Sequence, residues 1–187
     1  GAVCQGVLRM AMAGSGSTRS IERHERDMAN HEAHLDVTGH ATPGAPELDA
    51  SREKLSITFP SALPLGPATL VISFTGHVSR NMEGLYLSKD GAEECLATQC
   101  EETDARGIFP CFDEPAFKAA FRWIVTTDTA NTVLANGAPE SKIDIGKGLT
   151  RWTFAATPPM SSYLVALCVG KFASTPLANV RDVPMRV

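Results

Sequence analysis

Hydrophobic and polar residues alternate with a period of two along much of this chain. Leu55, Ile57 and Phe59 fall on one side of residues 54–59, and Leu70, Ile72 and Phe74 on one side of residues 69–75. The clearest case is Phe117, Ala119, Phe121, Trp123 and Val125 set against Lys118, Arg122 and Thr126. Trp152 and Phe154 resume the pattern after a turn at Gly146–Gly148. Successive side chains of an extended chain point to opposite faces, so these segments predict half-buried strands. Tyr163 to Val169 is apolar throughout and predicts a central strand covered on both faces. The charged stretch Arg19 to Asn30 predicts a polar, exposed strand. Glycine and proline punctuate the chain at short intervals, and Gly14–Ser17 and Ala41–Pro46 read as turns or loops. No helix longer than two turns is expected. Many short strands with frequent turns predict an all-β fold, an antiparallel β-sandwich.

The 187 residues fit one domain, and 43% hydrophobic residues suffice for a core. A net charge of −4 gives no basic footprint, so nucleic acid is not an expected partner. No run of 18 apolar residues appears, so no membrane span is expected. Residues Ala2 to Ala13 are interrupted by Gln5, Gly6 and Arg9 and make a poor signal peptide. The five cysteines are scattered and form no C-x-x-C pair. Neither a disulfide framework nor a zinc ribbon fits them, and reduced thiols in a cytoplasmic protein are expected.

His31-Glu32-Ala33-His34 invites a metal reading, but its histidines are three apart, where a helical zinc motif needs four. The strand-like alternation around them puts the two rings on opposite faces. No metal is therefore expected in this chain. Phosphate-binding, dinucleotide-binding and nucleophile-elbow motifs are absent.

The most informative stretch is residues 98–117, TQCEETDARGIFPCFDEPAF. Arg106, Asp113 and Glu114 are set among Pro110, Cys111 and Pro115, too polar for a core and too stiff for a linker. Asp113 and Glu114 read either as a general acid and base or as acids that hold the loop through Arg106 and backbone N–H groups. Gln99 and Glu101, two apart in an extended segment, project to one side. An amide beside a carboxylate would suit a protonated amine, and a peptide α-amine has a pKa of about 7.7–8.0. At about 4 Å and an effective dielectric near 20, such a pair attracts by about 4 kcal/mol before desolvation. The residues alone leave both this reading and that of an exposed loop end open.

This run resembles the T-Q-x-E-x-x-D-A-R-x-x-F-P-C-x-D-E-P motif of the M1 zinc aminopeptidases. GHVSRNMEGLY at Gly76–Tyr86 and TPPMSSYLVALCVGKF at Thr157–Phe172 resemble two further segments of that family, and Ser51–Pro60 resembles the strand before them. The likeness covers about Ser51–Val187, and its nearest flavour is the puromycin-sensitive, cytoplasmic branch. It implies a saddle-like antiparallel sandwich, with residues 1–187 forming a single N-terminal domain that precedes a zinc-bearing catalytic domain. Gly1 would then fall inside an early strand, leaving a truncated N-terminal edge open to association.

The resemblance further implies that Gln99 and Glu101 bind the substrate's free α-amine, while Arg106, Asp113 and Glu114 shape the loop. It places zinc in the catalytic domain and no catalytic residue in this chain. The implied partners are a peptide with a free N-terminus and the protein's own catalytic domain. The implied activity of the whole protein is removal of N-terminal residues from peptides. The alternative is a non-catalytic scaffold or interaction module, as in degenerate relatives. Two departures stand out. Cys100 replaces an aromatic residue or Met between Gln and Glu, and Glu102 replaces a small residue after it. The family often holds the bond after this Glu in cis, and a cis Glu101–Glu102 bond is expected here.

Overall fold

The computed structural model describes residues 2–14, 18–176, 178–181 and 183–185, without the side chains of 13, 14, 30, 31, 183 and 184. Gly1, residues 15–17 of the expected turn at Gly14–Ser17 and the His31 side chain, on which three of the expectations above fall, lie outside the described residues.

Among the described residues seventeen strands follow one another. They are β1 (Val3–Gly14), β2 (Ser20–His24), β3 (Met28–Val37), β4 (His40–Asp49), β5 (Lys54–Thr58) and β6 (Gly66–His77). Next come β7 (Gly84–Asp90), β8 (Glu93–Gln99), β9 (Lys118–Ala119), β10 (Ile124–Asp128), β11 (Thr132–Ala135) and β12 (Pro139–Gly146). The last are β13 (Leu149–Phe154), β14 (Met160–Ser161), β15 (Leu167–Gly170), β16 (Ala178–Val180) and β17 (Val183–Met185). The only helical turns among the described residues are short 3-10 segments at Ala105–Gly107 and Ser162–Leu164. Among the described residues no helix is long and apolar enough to cross a membrane.

All strand ladders are antiparallel, and the fold is the expected β-sandwich. A six-stranded sheet runs β1-β6-β3-β4-β5-β2, and a four-stranded sheet runs β11-β15-β8-β7. The larger sheet curls at β4, which changes partners along its length. His40 to Gly44 pair with β3, whereas Ala45 to Asp49 pair with β5. This handover corrects the expectation of a loop at Ala41–Pro46. Proline lacks a backbone donor, so it is tolerated where a strand has a neighbour on one side only. Pro43 and Pro46 sit on either side of the changeover.

The main core gathers on the inner face of this sheet. Leu55, Ile57, Leu70 and Ile72 are fully buried, as their period-two spacing requires. Leu85, Cys100, Ile108, Phe109 and Cys111 join the same cluster, so the loop after β8 is packed into the core. Val133, Phe154, Leu167 and Val169 form a second cluster.

Three local expectations need correction. Arg19–Asn30 contains strand, but Ile21, Arg23 and Glu25 are buried. Arg23 is only 3% exposed because the ring of Phe112 covers its guanidinium at 3.9 Å. Residues 117–125 are not one strand, since pairing stops after Ala119 and resumes at Ile124. Phe117 is 51% exposed and stacks on Phe112 at 5.1 Å instead of entering the core. Finally, Tyr163–Val169 becomes a strand only at Leu167, because a 3-10 turn occupies its start.

Candidate functional site

Strand β8 runs out of the four-stranded sheet and ends at Gln99. Gln99 is paired with Gly84 at the start of β7. The chain then turns through residues 101–104 into the 3-10 segment Ala105–Gly107. The peptide bond between Glu101 and Glu102 is cis, as expected. Gly84 faces this turn in the left-handed region at φ 60°, and a Cβ there would lie 3.3 Å from the Asp104 carbonyl oxygen. A side chain would be both strained and crowded at that position.

Gln99 and Glu101 are exposed, and Thr98 and Cys100 alternate with them as half-buried and buried residues. The Glu101 backbone N–H donates to Gln99 Oε1 at 3.2 Å. This bond fixes the Gln99 side chain over its own turn. The full negative charge of the pair resides on the Glu101 carboxylate.

Asp113 is 1% exposed and organises the loop that follows. Its Oδ2 accepts from Arg106 Nε and from the Arg106 backbone N–H, each at 3.1 Å. Its carbonyl oxygen accepts from Arg106 Nη2 at 3.3 Å, and its Oδ1 accepts from Ser162 Oγ at 2.6 Å. The Asp113 backbone N–H donates to His24 Nδ1 at 3.2 Å. His24 is also bridged to Cys111 by two backbone hydrogen bonds, of 2.8 and 3.1 Å. A ring that accepts at Nδ1 is neutral, with its proton on Nε2. Burial, followed by the positive charges of Arg106 and Lys54, holds the His24 pKa below its ordinary value against the opposing pull of Glu114 and Asp113.

The loop is tied outward as well. Arg106 Nη1 pairs with Glu53 Oε2 at 3.0 Å, and Arg26 joins Asp104 at 2.5 Å. Arg26 also approaches Glu53 at 3.9 Å. Glu114 is exposed, and its carbonyl oxygen accepts from the Phe117 N–H at 3.0 Å. Sequence reasoning missed His24, Arg26, Glu53, Asp104 and Ser162. Asp104 and Ser162 lie within the motif segments, but nothing in the sequence ties His24, Arg26 or Glu53 to a loop so far along the chain.

A family profile described as the peptidase M1 N-terminal domain matches residues 3–164. The chain belongs to the peptidase M1 family, as its N-terminal domain. It is 35% identical over 164 residues to a protein named probable M1 family aminopeptidase 2 from Encephalitozoon cuniculi, covering 85% of this chain and 19% of that protein. It is 36% identical over 142 residues to aminopeptidase N from Acetobacter pasteurianus, covering 70% of this chain and 40% of that protein. It is 37% identical over 129 residues to human endoplasmic reticulum aminopeptidase 1, covering 66% of this chain and 14% of that protein. The M1 domain thus spans about a fifth of the length of the E. cuniculi relative. These likenesses do not single out the puromycin-sensitive branch.

Zinc is expected of this family. Among the described residues of the M1 domain, no group of three or more His, Cys, Asp or Glu side chains could hold a metal ion. The donor set here does not fit a zinc centre, and no chemical step is assigned to one in this chain.

Proposed function

We propose that this chain is the substrate-anchoring part of a zinc aminopeptidase that removes N-terminal residues from peptides. Gln99 and Glu101 hold the free α-amine of the peptide, and the rest of the polypeptide supplies the metal and the bond-breaking chemistry. The observation that carries this reading is the build of residues 98–101. Two exposed polar side chains stand at a strand end whose alternate neighbours, Thr98 and Cys100, are half-buried and buried, next to a loop pinned by the Arg106–Asp113 pair. Such a mount keeps the carboxylate in one place while leaving it open to an incoming cation. Anchoring the amine sets the distance from the chain end to the scissile bond, so one residue is removed at a time.

In this reading Arg106 and Asp113 shape the loop and touch no substrate, and Glu114 contributes through its backbone. Peptides with a free N-terminus and the catalytic domain are the partners, and the cytoplasm is the compartment. The test is Glu101→Gln in the full-length enzyme. The ratio of the des-amino analogue's inhibition constant to that of the free-amine peptide should collapse by about tenfold or more, equivalent to about 1.4 kcal/mol. An unchanged ratio would remove the anchoring role.

A further inference from the structure

Residues 162–166 lie in no strand, yet the carbonyls of Leu164, Val165 and Ala166 and the N–H groups of Ala166 and Leu167 all find partners. Asn136 takes three of them. Its Nδ2 donates to the Leu164 carbonyl at 3.1 Å, its Oδ1 accepts from the Ala166 N–H at 2.6 Å, and its own N–H donates to the Ala166 carbonyl at 3.2 Å. Thr98 takes two more. Its hydroxyl accepts from the Leu167 N–H at 2.9 Å and donates to the Val165 carbonyl at 3.5 Å. The Cys100 thiol donates to the same carbonyl at 3.5 Å.

The same segment grips the acid loop from its other end. Ser162 Oγ donates to Asp113, and Ser161 Oγ donates to the Pro115 carbonyl at 2.8 Å. Residues 161–167 therefore form a spine between the end of β8 and the Arg106–Asp113 loop. At the end of β8 and in the two residues after it the division of labour is strict. Thr98 and Cys100 turn inward and hold the spine, whereas Gln99 and Glu101 turn outward. Burial pushes the Cys100 thiol up to about 12, so it remains a protonated donor at neutral pH. Ladder pairing between β8 and β15 covers only Leu96 with Val169 and Cys95 with Gly170. Beyond it, the contacts of Thr98 and Cys100 replace the missing rungs.

We propose that Thr98 and Cys100 are positioning residues for the amine anchor, which they fix by fastening the end of β8 to the Val165–Leu167 backbone. The proposal rests on the anchoring role of Gln99 and Glu101 given above. Neither residue touches substrate. They act by restricting where Glu101 can stand, and a displacement of about 1 Å at a reacting group can cost about a hundredfold in rate.

The experiment compares Thr98→Val, Thr98→Ser, Cys100→Ala and Glu101→Gln in the full-length enzyme, reading the des-amino to free-amine ratio of inhibition constants. A loss of folded enzyme alone leaves that ratio untouched. Thr98→Val should lower it about tenfold, and Thr98→Ser, which keeps the hydroxyl, should stay within about twofold of wild type. Cys100→Ala removes one of two bonds to the Val165 carbonyl and should lower the ratio by a smaller factor. In this chain alone, amide exchange of Leu167 should quicken in Thr98→Val and not in Thr98→Ser. A ratio that collapses in Glu101→Gln but holds in Thr98→Val overturns the positioning role and leaves the anchor standing. A ratio that holds in Glu101→Gln overturns the anchor itself. If Thr98→Val does not fold, Cys100→Ala decides, and an unchanged ratio there overturns the proposal.

Discussion

Arg106 and Asp113 are joined by three hydrogen bonds across the loop between them, two to the carboxylate and one to the backbone carbonyl. The carboxylate is buried, and a second donor, Ser162, closes on its other oxygen. Removing one member of such a pair strands the other in a poorly solvated place. Asp113→Ala should therefore cost about 3 kcal/mol of stability, and Ser162→Ala about 1–3 kcal/mol. Urea unfolding of the two variants, with the slope held constant, checks both figures. Equal stability of Asp113→Ala and wild type would show that the pair is incidental.

His24 makes stability depend on pH with a fixed sign. The folded ring resists protonation because of burial and the charges of Arg106 and Lys54, while the unfolded ring takes a proton near its ordinary pKa of 6.5. The contribution of His24 is therefore complete above about pH 6.5 and is lost as pH falls through the lower folded value. Protonation at Nδ1 would also abolish the bond from the Asp113 N–H. In His24→Asn, the fall in stability between about pH 7 and 5.5 should be shallower than in wild type. Thermal denaturation across that range reads the difference, and parallel curves would exclude His24 as the titrating group.

Gly84 and Gly91 have the same φ of 60° but different surroundings. A Cβ on Gly91 meets nothing within 4 Å, whereas one on Gly84 approaches the Asp104 carbonyl oxygen. Gly91→Ala should cost about 1 kcal/mol of backbone strain alone. Gly84→Ala should cost more, and the difference measures the crowding. If chemical denaturation gives the two variants equal losses, the turn beneath Gly84 yields freely.

All five cysteines are free, but they differ in access. Cys100 and Cys111 are buried, and burial raises both thiols well above their ordinary range. Thiolate is the reactive form, so neither should react with a disulfide reagent near pH 8 while the chain is folded. Titration with such a reagent should reach at most three thiols in native protein and five in denaturant. Rapid reaction of Cys100 in the native state would mean that the end of β8 opens readily.

The sequence made the regular strands legible because each buries one face, so β5, β6 and β13 show the period of two directly. It hid β4, because Pro43 and Pro46 carry a local signal for a turn, and only the change of partner makes them acceptable in a strand. It also hid the burial of Arg23, whose cover, Phe112, comes from a distant part of the chain. The candidate site divides in the same way. Gln99, Glu101, Arg106 and Asp113 lie close together and could be read as one motif. Ser162 and His24 reach Asp113 across 49 and 89 residues. Such contacts are set by the packing of the sheets, which no local pattern records.

The register of β1 has a consequence for how the chain is made. Gly14 pairs with Gly66 and Val3 with His77, so every rung of this ladder joins residues at least fifty positions apart. At a synthesis rate of about 5–20 residues per second, the residues of β1 emerge roughly 3–15 s before their partners. During that interval a nearly uncharged strand carrying Val7, Leu8, Met10 and Met12 waits for its ladder partner. Among the six strands of the large sheet β1 is made first and its partner β6 last, so this ladder closes only after the other four strands have been synthesised.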